Sequence, residues 1–325
     1  MRKLLLTVTF AAALAGMDSA AAQNWPSRPV TIVVPFAAGG AVDVVGRILA
    51  PRLSELLDRP VIIDNVGGAG GMTGTSRVAK AAPDGYQVVL GNSGTHAYNQ
   101  TLYKTPLYNS ATDFAPVALI GEQPIVLTAR KDFPARTLPE FIAYTKANQA
   151  RMQFGSAGVG STNHLGCVLL NAAIGVNVTH IPYRGGGPAM QDLIAGRLDY
   201  ACNVFSTALP QIEGNLVRAI AILTKNRSPV LPDLPSAHEQ GLTDFEANSW
   251  FAFFVPKGTP AAIVQKLNDA TVATMDTPVV KARLQEIGTD LVAPDRRSSE
   301  YLQKFVEREI ERWAAPIKAA GLVGE

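Results

Sequence analysis

The chain has 325 residues, a formal net charge of +2 at pH 7 and 47% hydrophobic residues. This small net charge excludes the strong electrostatic bias with which proteins bind nucleic acid or anionic membrane, so the expected partner is a small molecule or a protein. The length and the charged fraction of only 17% predict a large core divided between two domains.

The first predicted element is a secretory signal peptide at residues 1–22. Arg2 and Lys3 precede an apolar run, and Ala20 to Ala22 supplies an A-x-A cleavage site before Gln23. The run is shorter than the roughly 20 apolar residues that a spanning helix needs, so it does not predict a membrane anchor. We therefore expect export and cleavage after Ala22.

Beyond the signal peptide, apolar β-rich runs alternate with turns rich in Gly, Ser or Asn and with segments of helical periodicity. This alternation predicts an α/β fold with largely parallel sheets flanked by helices. The first helix contains Pro51, and we expect it to divide near residue 50. Strands are predicted at 30–34, 61–65, 87–91, 117–120, 125–129, 152–155, 178–181, 199–204 and 218–223, and C-terminal helices at 261–273, 278–287 and 298–313.

Four glycine-rich turns follow predicted strands, and in parallel α/β folds such turns line the ligand crevice. The first turn lacks the glycine spacings of a nucleotide site, and Gly158-Val159-Gly160 has Asn163 where a third glycine would stand. Free N–H groups at helix starts also bind carboxylates. A carboxylate is therefore the predicted ligand, and no cofactor is expected.

The chain shows no convincing catalytic or metal-binding set. It lacks G-x-S-x-G and H-E-x-x-H, and its four histidines are too scattered to indicate a metal site. His96 and His164 follow glycine turns, so each either bonds a ligand or is a structural cap. Asp43 is more simply a helix cap than a catalytic acid. Cys167 and Cys202 either form a disulfide or stay buried free thiols.

An ordered set of segments covers nearly all of the mature chain: PFAAGGAVD, GAGGMTGTSRVAKAAPDGY, HAYNQTLY, GSAGVGSTNHLG, HIPYRGGGPAMQDLIAGRLD, LPDLPSAHEQG and WFAFFVPKGTP. The set resembles the extracytoplasmic receptors of tripartite tricarboxylate transporters, often called the Bug family. The resemblance implies a two-lobed periplasmic binding protein, a Venus flytrap of type II-like architecture, without enzyme activity. We expect one lobe at 23–121 plus 248–325 and the other at 122–247.

The resemblance also implies a ligand site, because family members seat a carboxylate on one loop from each lobe. These loops match Phe36 to Asp43 and Ser156 to Asn163. Arg184 either faces the ligand as a charge partner or holds its own loop by bonding carbonyls. The full expected ligand-binding set is Phe36, Ala37, Ala38, Gly39, Gly40, Asp43, Asn92, Ser93, Thr95, His96, Ser156, Gly158, Gly160, Ser161, Thr162, Asn163, Tyr183, Arg184, Gly185 and Asn203.

The sequence thus predicts a receptor that captures a small dicarboxylate and delivers it to the membrane components of a tripartite tricarboxylate transporter. The ligand is expected to be a four- to six-carbon aliphatic acid or an aromatic acid such as terephthalate. Two alternatives stay open: an exported hydrolase or isomerase on the same fold, and a receptor that docks a sensor kinase. Neither a nucleic-acid partner nor a bound metal is expected.

Overall fold

The computed structural model describes residues 25–243 and 245–322. The predicted signal peptide and its cleavage after Ala22 lie outside the described residues. Across the described part of the chain, none of the helices combines the length and apolar character needed to cross a bilayer.

Ten strands join into one curled, mixed sheet in the order β2-β1-β3-β9-β4-β7-β5-β6, with β8 and β10 also paired to β4. The outer strands are parallel, as the alternating pattern predicts, whereas β4 and β9 run antiparallel to their neighbours. The strands are β1 (Val30–Val34), β2 (Val61–Asn65), β3 (Gln87–Asn92), β4 (Phe114–Arg130), β5 (Gln153–Ser156), β6 (Thr179–Pro182), β7 (Tyr200–Val204), β8 (Val217–Ile222), β9 (Asn248–Pro256) and β10 (Asp290–Leu291).

Helices cover the faces of the sheet, and most follow a strand directly. They are α1 (Ala41–Leu57), α2 (Met72–Ala79), α3 (Asn99–Leu102), α4 (Leu138–Asn148), α5 (Thr162–Ile174), α6 (Gly186–Ile194), α7 (Phe205–Glu213), α8 (Ala261–Asp276), α9 (Pro278–Glu286) and α10 (Ser299–Ala319). A π-helical turn at Gly94–Tyr98 joins β3 to α3.

Strand β4 divides the sheet into two halves. Its residues 114–124 pair with β9, and its residues 125–130 pair with β7 and β8. We call β1, β2, β3, β9, β10 and residues 114–124, with the helices and loops that join or follow them, the first half. The second half consists of residues 125–130 and β5 to β8 with the helices and loops between them, up to the start of β9. The main hydrophobic clusters follow this division, because those of the first half draw mostly on both ends of the chain and those of the second half on its middle.

Two local predictions are wrong. The predicted strands 117–120 and 125–129 form the single strand β4, whose register shifts twice where it pairs with β9. Helix α1 does not divide near residue 50, because it continues through Pro51 to Leu57. Pro51 and Arg47 are both exposed, so water can satisfy the Arg47 carbonyl that loses its intrahelical donor.

Candidate functional site

A small cavity of about 20 Å³ lies where the two halves face each other. A space of this size holds about one water molecule. The described residues that line it carry no charged side chain; they are Phe36, Gly40, Ala41, Val42, Asn92, Ala157, Asn163, Gly186 and Val204.

Four helices begin at this cavity. Gly40, Gly186 and Val204 stand at the starts of α1, α6 and α7, and Asn163 is the second residue of α5. The first intrahelical bond of α1 runs from the Val44 N–H to the Gly40 carbonyl over 3.0 Å, so the preceding N–H groups have no partner inside the helix. Each helix start carries a partial positive charge, so the four together favour an anion.

The loop before α1 is fixed by Asp43, which is 3% exposed. Its Oδ2 accepts hydrogen bonds from the Gly39 N–H at 3.0 Å and from Arg47 Nε at 2.9 Å, and its Oδ1 accepts one from Asn65 Nδ2 at 2.9 Å. Burial alone would raise the pKa of Asp43, but these donors outweigh it and the pKa lies below its ordinary value. Asp43 therefore stays ionised and holds the loop, with both oxygens already bonded within the protein.

The hydroxyls of the second loop are bonded within the protein as well. Ser161 caps α5 by accepting from the His164 N–H at 3.2 Å. Ser156 Oγ accepts from the Gly158 N–H at 3.0 Å and lies 2.6 Å from His180 Nε2. Gly158 and Gly160 have φ values of 109° and 80°, which suit glycine. The Gly158, Gly160 and Ser161 N–H groups are bonded within the protein too, so the backbone donors that this segment offers are those of Thr162 and Asn163 at the start of α5.

Polar side chains also connect the cavity wall across the two halves. Ser93 Oγ and Thr162 Oγ1 are 3.1 Å apart, with one residue from each half. Asn163 Nδ2 donates to Asn203 Oδ1 at 3.3 Å, and Asn203 Nδ2 donates to Thr128 Oγ1 at 2.8 Å. Asn203 therefore orients Asn163 and does not itself line the cavity.

The side-chain amide of Asn92 offers a hydrogen-bond donor at the cavity wall. It is 4% exposed, and its Oδ1 accepts from the Thr95 N–H at 3.0 Å. Among the described residues its Nδ2 donates no hydrogen bond, and Asn92 lines the cavity. An amide N–H at this position is available to an anion.

The predicted residue His96 lies in the core rather than on the cavity wall. Its ring is fully buried and stacks on Phe254 with centroids 3.9 Å apart, and its Nδ1 is 2.9 Å from Thr95 Oγ1. Burial lowers the pKa of His96 to about 3, so the imidazole is neutral at pH 7.

His164 and His180 form a neutral pair beside the second loop, with centroids 4.4 Å apart. Burial, helped by His180, lowers the pKa of His164 to about 3, and burial lowers the pKa of His180 to about 4. His164 Nδ1 accepts from the Gly160 N–H at 3.3 Å. Among the described residues, no cluster of His, Cys, Asp or Glu is arranged to hold a metal ion.

Tyr183 and Arg184 line a separate outer groove, together with Gly158 and the segment 68–70. The Tyr183 hydroxyl donates to Asp192 Oδ2 at 2.6 Å, and the pKa of Tyr183 is raised to about 12 by burial and by that carboxylate. The Arg184 side chain is exposed, and its carbonyl accepts from the Ala37 N–H at 3.0 Å. Backbone atoms of Arg184 thus bridge the halves, while its guanidinium lies outside the cavity.

The sequence did not identify several residues of the site. Ala41, Val42 and Ala157 lie within the two expected loops but are not in the expected set, and Gly186 and Val204 line the cavity through their place at a helix start and a strand end, which no side-chain pattern reveals. Asn65 is not in the expected set either, although its side-chain amide donates to both Asp43 and the Phe36 carbonyl. Its position at the end of β2, beside the first loop, was the available signal.

The chain is similar to proteins of one known family. Residues 45–322 match the family model described as the tripartite tricarboxylate transporter family receptor. The chain's matches to three solved structures extend over the whole of each of those chains and over most of this one. MatC from Rhodopseudomonas palustris with bound malate is 40% identical over 90% of this chain and 100% of that chain, with a TM-score of 0.88. The periplasmic binding protein BugD is 38% identical over 93% of this chain and 100% of that chain, with a TM-score of 0.89. Rpa4515 from R. palustris with adipate is 36% identical over 93% of this chain and 100% of that chain, with a TM-score of 0.88.

The family match spans far more than half of the chain, and the structural similarity extends over both halves of the sheet. This evidence excludes the hydrolase or isomerase alternative, because the family consists of receptors. The chain belongs to the tripartite tricarboxylate transporter receptor family, and like its neighbours it is a periplasmic solute-binding protein of mixed α/β fold rather than an enzyme.

Proposed function

We propose that this receptor captures a small dicarboxylate between the two halves and delivers it to the membrane components of a tripartite transporter. The observation that carries the proposal is the meeting of four helix starts at one cavity whose described lining is uncharged. Such a site binds carboxylates through N–H groups and dipoles. Malate and adipate, which are bound to two of the similar structures, are both dicarboxylates.

One carboxylate would be held by the N–H groups at the start of α1 and by Asn92 Nδ2. The second would meet the N–H groups at the start of α5, which belongs to the second half. This assignment leaves out His96 and Arg184, which belong to the expected ligand-binding set, because His96 is in the core and the Arg184 side chain is outside. Of the expected ligand-binding residues, Phe36, Gly40, Asn92 and Asn163 carry the proposal.

An aliphatic acid of four to six carbons fits this wall better than terephthalate does. An aromatic ring would have Phe36 as a neighbour, but Tyr183 lies in the outer groove with its hydroxyl bonded to Asp192. Stacking on a second ring, worth about 0.5 to 1.5 kcal/mol, is therefore not offered. A role in docking a sensor kinase has no observation of its own, so the proposal names the transporter alone.

We also propose that the two halves are the lobes of a flytrap, at residues 23–121 plus 248–325 and 122–247. The support is the exchange of pairing partners on β4 between Pro124 and Ile125, and the start of β9 at Asn248. Export would remove residues 1–22, which the intact mass of the periplasmic protein tests directly.

A thermal-shift screen tests the proposed ligand class. We expect malate or adipate to raise the melting temperature more than terephthalate does, since a ligand at 100 times its Kd stabilises by about 2.7 kcal/mol. Hexanoate and benzoate are matched controls that lack one carboxylate. Equal shifts from adipate and hexanoate would contradict the dicarboxylate claim, and no shift from any acid would contradict the carboxylate claim.

A further inference from the structure

Around the cavity, backbone of the first half touches backbone of the second half without intervening side chains. The Ala37 N–H donates to the Arg184 carbonyl at 3.0 Å. A Cβ at Gly187 would lie 2.5 Å from the Ala38 carbonyl oxygen, and one at Gly94 would lie 2.9 Å from the Gly160 carbonyl oxygen. The two halves can approach this closely only where side chains are absent.

These contacts repeat along the rim of the cavity. We call the set the glycine seam; its members are Gly67, Gly70, Gly94, Gly185 and Gly187, and a Cβ at each would overlap a backbone atom of the opposite half. Backbone atoms cannot rotate out of the way as a flexible side chain can. A methyl group at the seam would therefore hold the halves apart.

We infer that the glycine seam is a closure device, and that its glycines are positioning residues for ligand capture although they are outside the cavity lining. The inference rests on the proposed function, in which a ligand is held by N–H groups from both halves. Those groups converge on one anion only if the halves meet at the seam. The absence of side chains at these positions therefore raises the affinity for the ligand, although these glycines do not contact the ligand.

Helix α6 offers a matched pair of glycines for the test. Gly187 is in the first turn, where alanine suits the helix better than glycine, so Gly187→Ala should leave folding intact while it blocks the seam. Gly196 follows the other end of α6 with φ +74° and no atom within 4 Å of an added Cβ. Gly196→Ala should strain the backbone while it leaves the seam unchanged.

The experiment measures three quantities on the full mature chain: melting temperature without ligand, hydrogen exchange of the Ala37 amide, and calorimetric affinity for malate and adipate. We expect Gly187→Ala to keep its melting temperature, to speed Ala37 exchange at least tenfold and to weaken binding at least tenfold. Gly196→Ala should show the reverse pattern, with a lower melting temperature and unchanged exchange and binding. If Gly187→Ala does not fold, Gly185→Ala, whose added Cβ would lie 2.8 Å from the Ala37 nitrogen, replaces it.

Two results would overturn the inference. One is an Ala37 amide that exchanges as slowly in Gly187→Ala as in the wild type. The other is an Ala37 amide that, at saturating malate or adipate, is as unprotected in the wild type as in the variant. If the wild type binds neither acid, the proposed ligand class fails, but the exchange comparison still decides whether the seam closes.

Discussion

At the scale of single residues, Asp43 shows how a site can depend on a side chain that is already fully bonded. It lies in the first turn of α1, where a carboxylate also interacts favourably with the helix start. Its bonds to Gly39, Arg47 and Asn65 tie the first loop to α1 and to β2. We therefore assign Asp43 the positioning of the loop rather than contact with the ligand.

Replacing Asp43 by Asn should lower the free energy of unfolding by about 1 to 3 kcal/mol, because a buried donor loses its charged acceptor. The pKa of Asp43 is depressed in the fold, so its contribution is complete above the ordinary value of 3.8 and is lost as pH falls through the folded value. Urea unfolding at pH 7 and at pH 3 checks both statements.

Asp64→Asn is the control for Asp43→Asn, because the Asp64–Arg77 pair is nearly half exposed and should contribute at most about 1 kcal/mol. Equal losses from the two substitutions at pH 7 would contradict the role of Asp43. So would a difference between wild type and Asp43→Asn that persists unchanged at low pH.

Asn92→Asp should place a competing carboxylate where the ligand anion binds. The substitution keeps an oxygen for the Thr95 N–H but replaces the free Nδ2 donor by a negative oxygen. The loss of a hydrogen bond to a charged group is worth about 1.5 to 3 kcal/mol, so affinity for malate or adipate should fall about 10- to 100-fold. Calorimetry measures it, with Asn226→Asp in an exposed loop as the control; unchanged affinity in Asn92→Asp would remove Asn92 from the site.

The sequence located the two loops of the candidate site but not the direction of their side chains. Residues of both loops and Asn92 line one cavity. His96 lies in the core instead of at the cavity because it is part of a π-helical turn, which local periodicity does not predict. Tyr183 and Arg184 line the outer groove instead of the cavity because the end of strand β6, which they follow, faces that groove.

At the scale of elements, most strands could be predicted because their apolar β-branched runs are bounded by turn residues. Strands β1 and β2 have the bounds that the sequence predicts. Strand β4 was predicted as two because Gly121 and Pro124 interrupt the apolar run. Pairing with β9 keeps β4 continuous, and at Gly121 the strand passes so close to Asp290 that a Cβ would lie 2.8 Å from its carbonyl oxygen. Tertiary pairing thus overrides the local break.

A disulfide between Cys167 and Cys202 joins α5 to β7 within the second half, which decides between the two alternatives that the sequence left open. The bond closes a loop of 35 residues. A loop of that length should contribute about 3 to 4 kcal/mol by restricting the unfolded chain. The Cys167→Ala/Cys202→Ala double variant should therefore unfold at a lower urea concentration than the wild type.

Reducing agent supplies the control for the disulfide. It should lower the stability of the wild type toward that of the double variant and leave the variant unchanged. A double variant as stable as the oxidised wild type would show that the bond does not stabilise the fold.

At the scale of the whole molecule, length predicts two domains and the alternation of elements predicts the α/β fold, but neither predicts the strands that cross between the two halves. The chain enters the second half through β4 and returns before β9, so each half depends on residues far apart in sequence. Local periodicity carries no information about such pairing. The resemblance to the receptor family supplied it.

Ligand binding should make the molecule more compact. The cavity of about 20 Å³ is too small to admit a dicarboxylate from solvent without separation of the halves. A ligand that contacts both halves then favours the closed form by its differential affinity. Small-angle scattering should show a smaller radius of gyration at saturating adipate or malate than without acid, and an unchanged radius would contradict capture by closure.

The most direct test of the central claim is a crystal structure of the protein grown with the acid that gives the largest thermal shift. The account predicts one carboxylate within hydrogen-bond distance of the Ala41 or Val42 N–H and of Asn92 Nδ2, and the other against the start of α5. An acid bound in the outer groove beside Arg184, or held by one half alone, would contradict it.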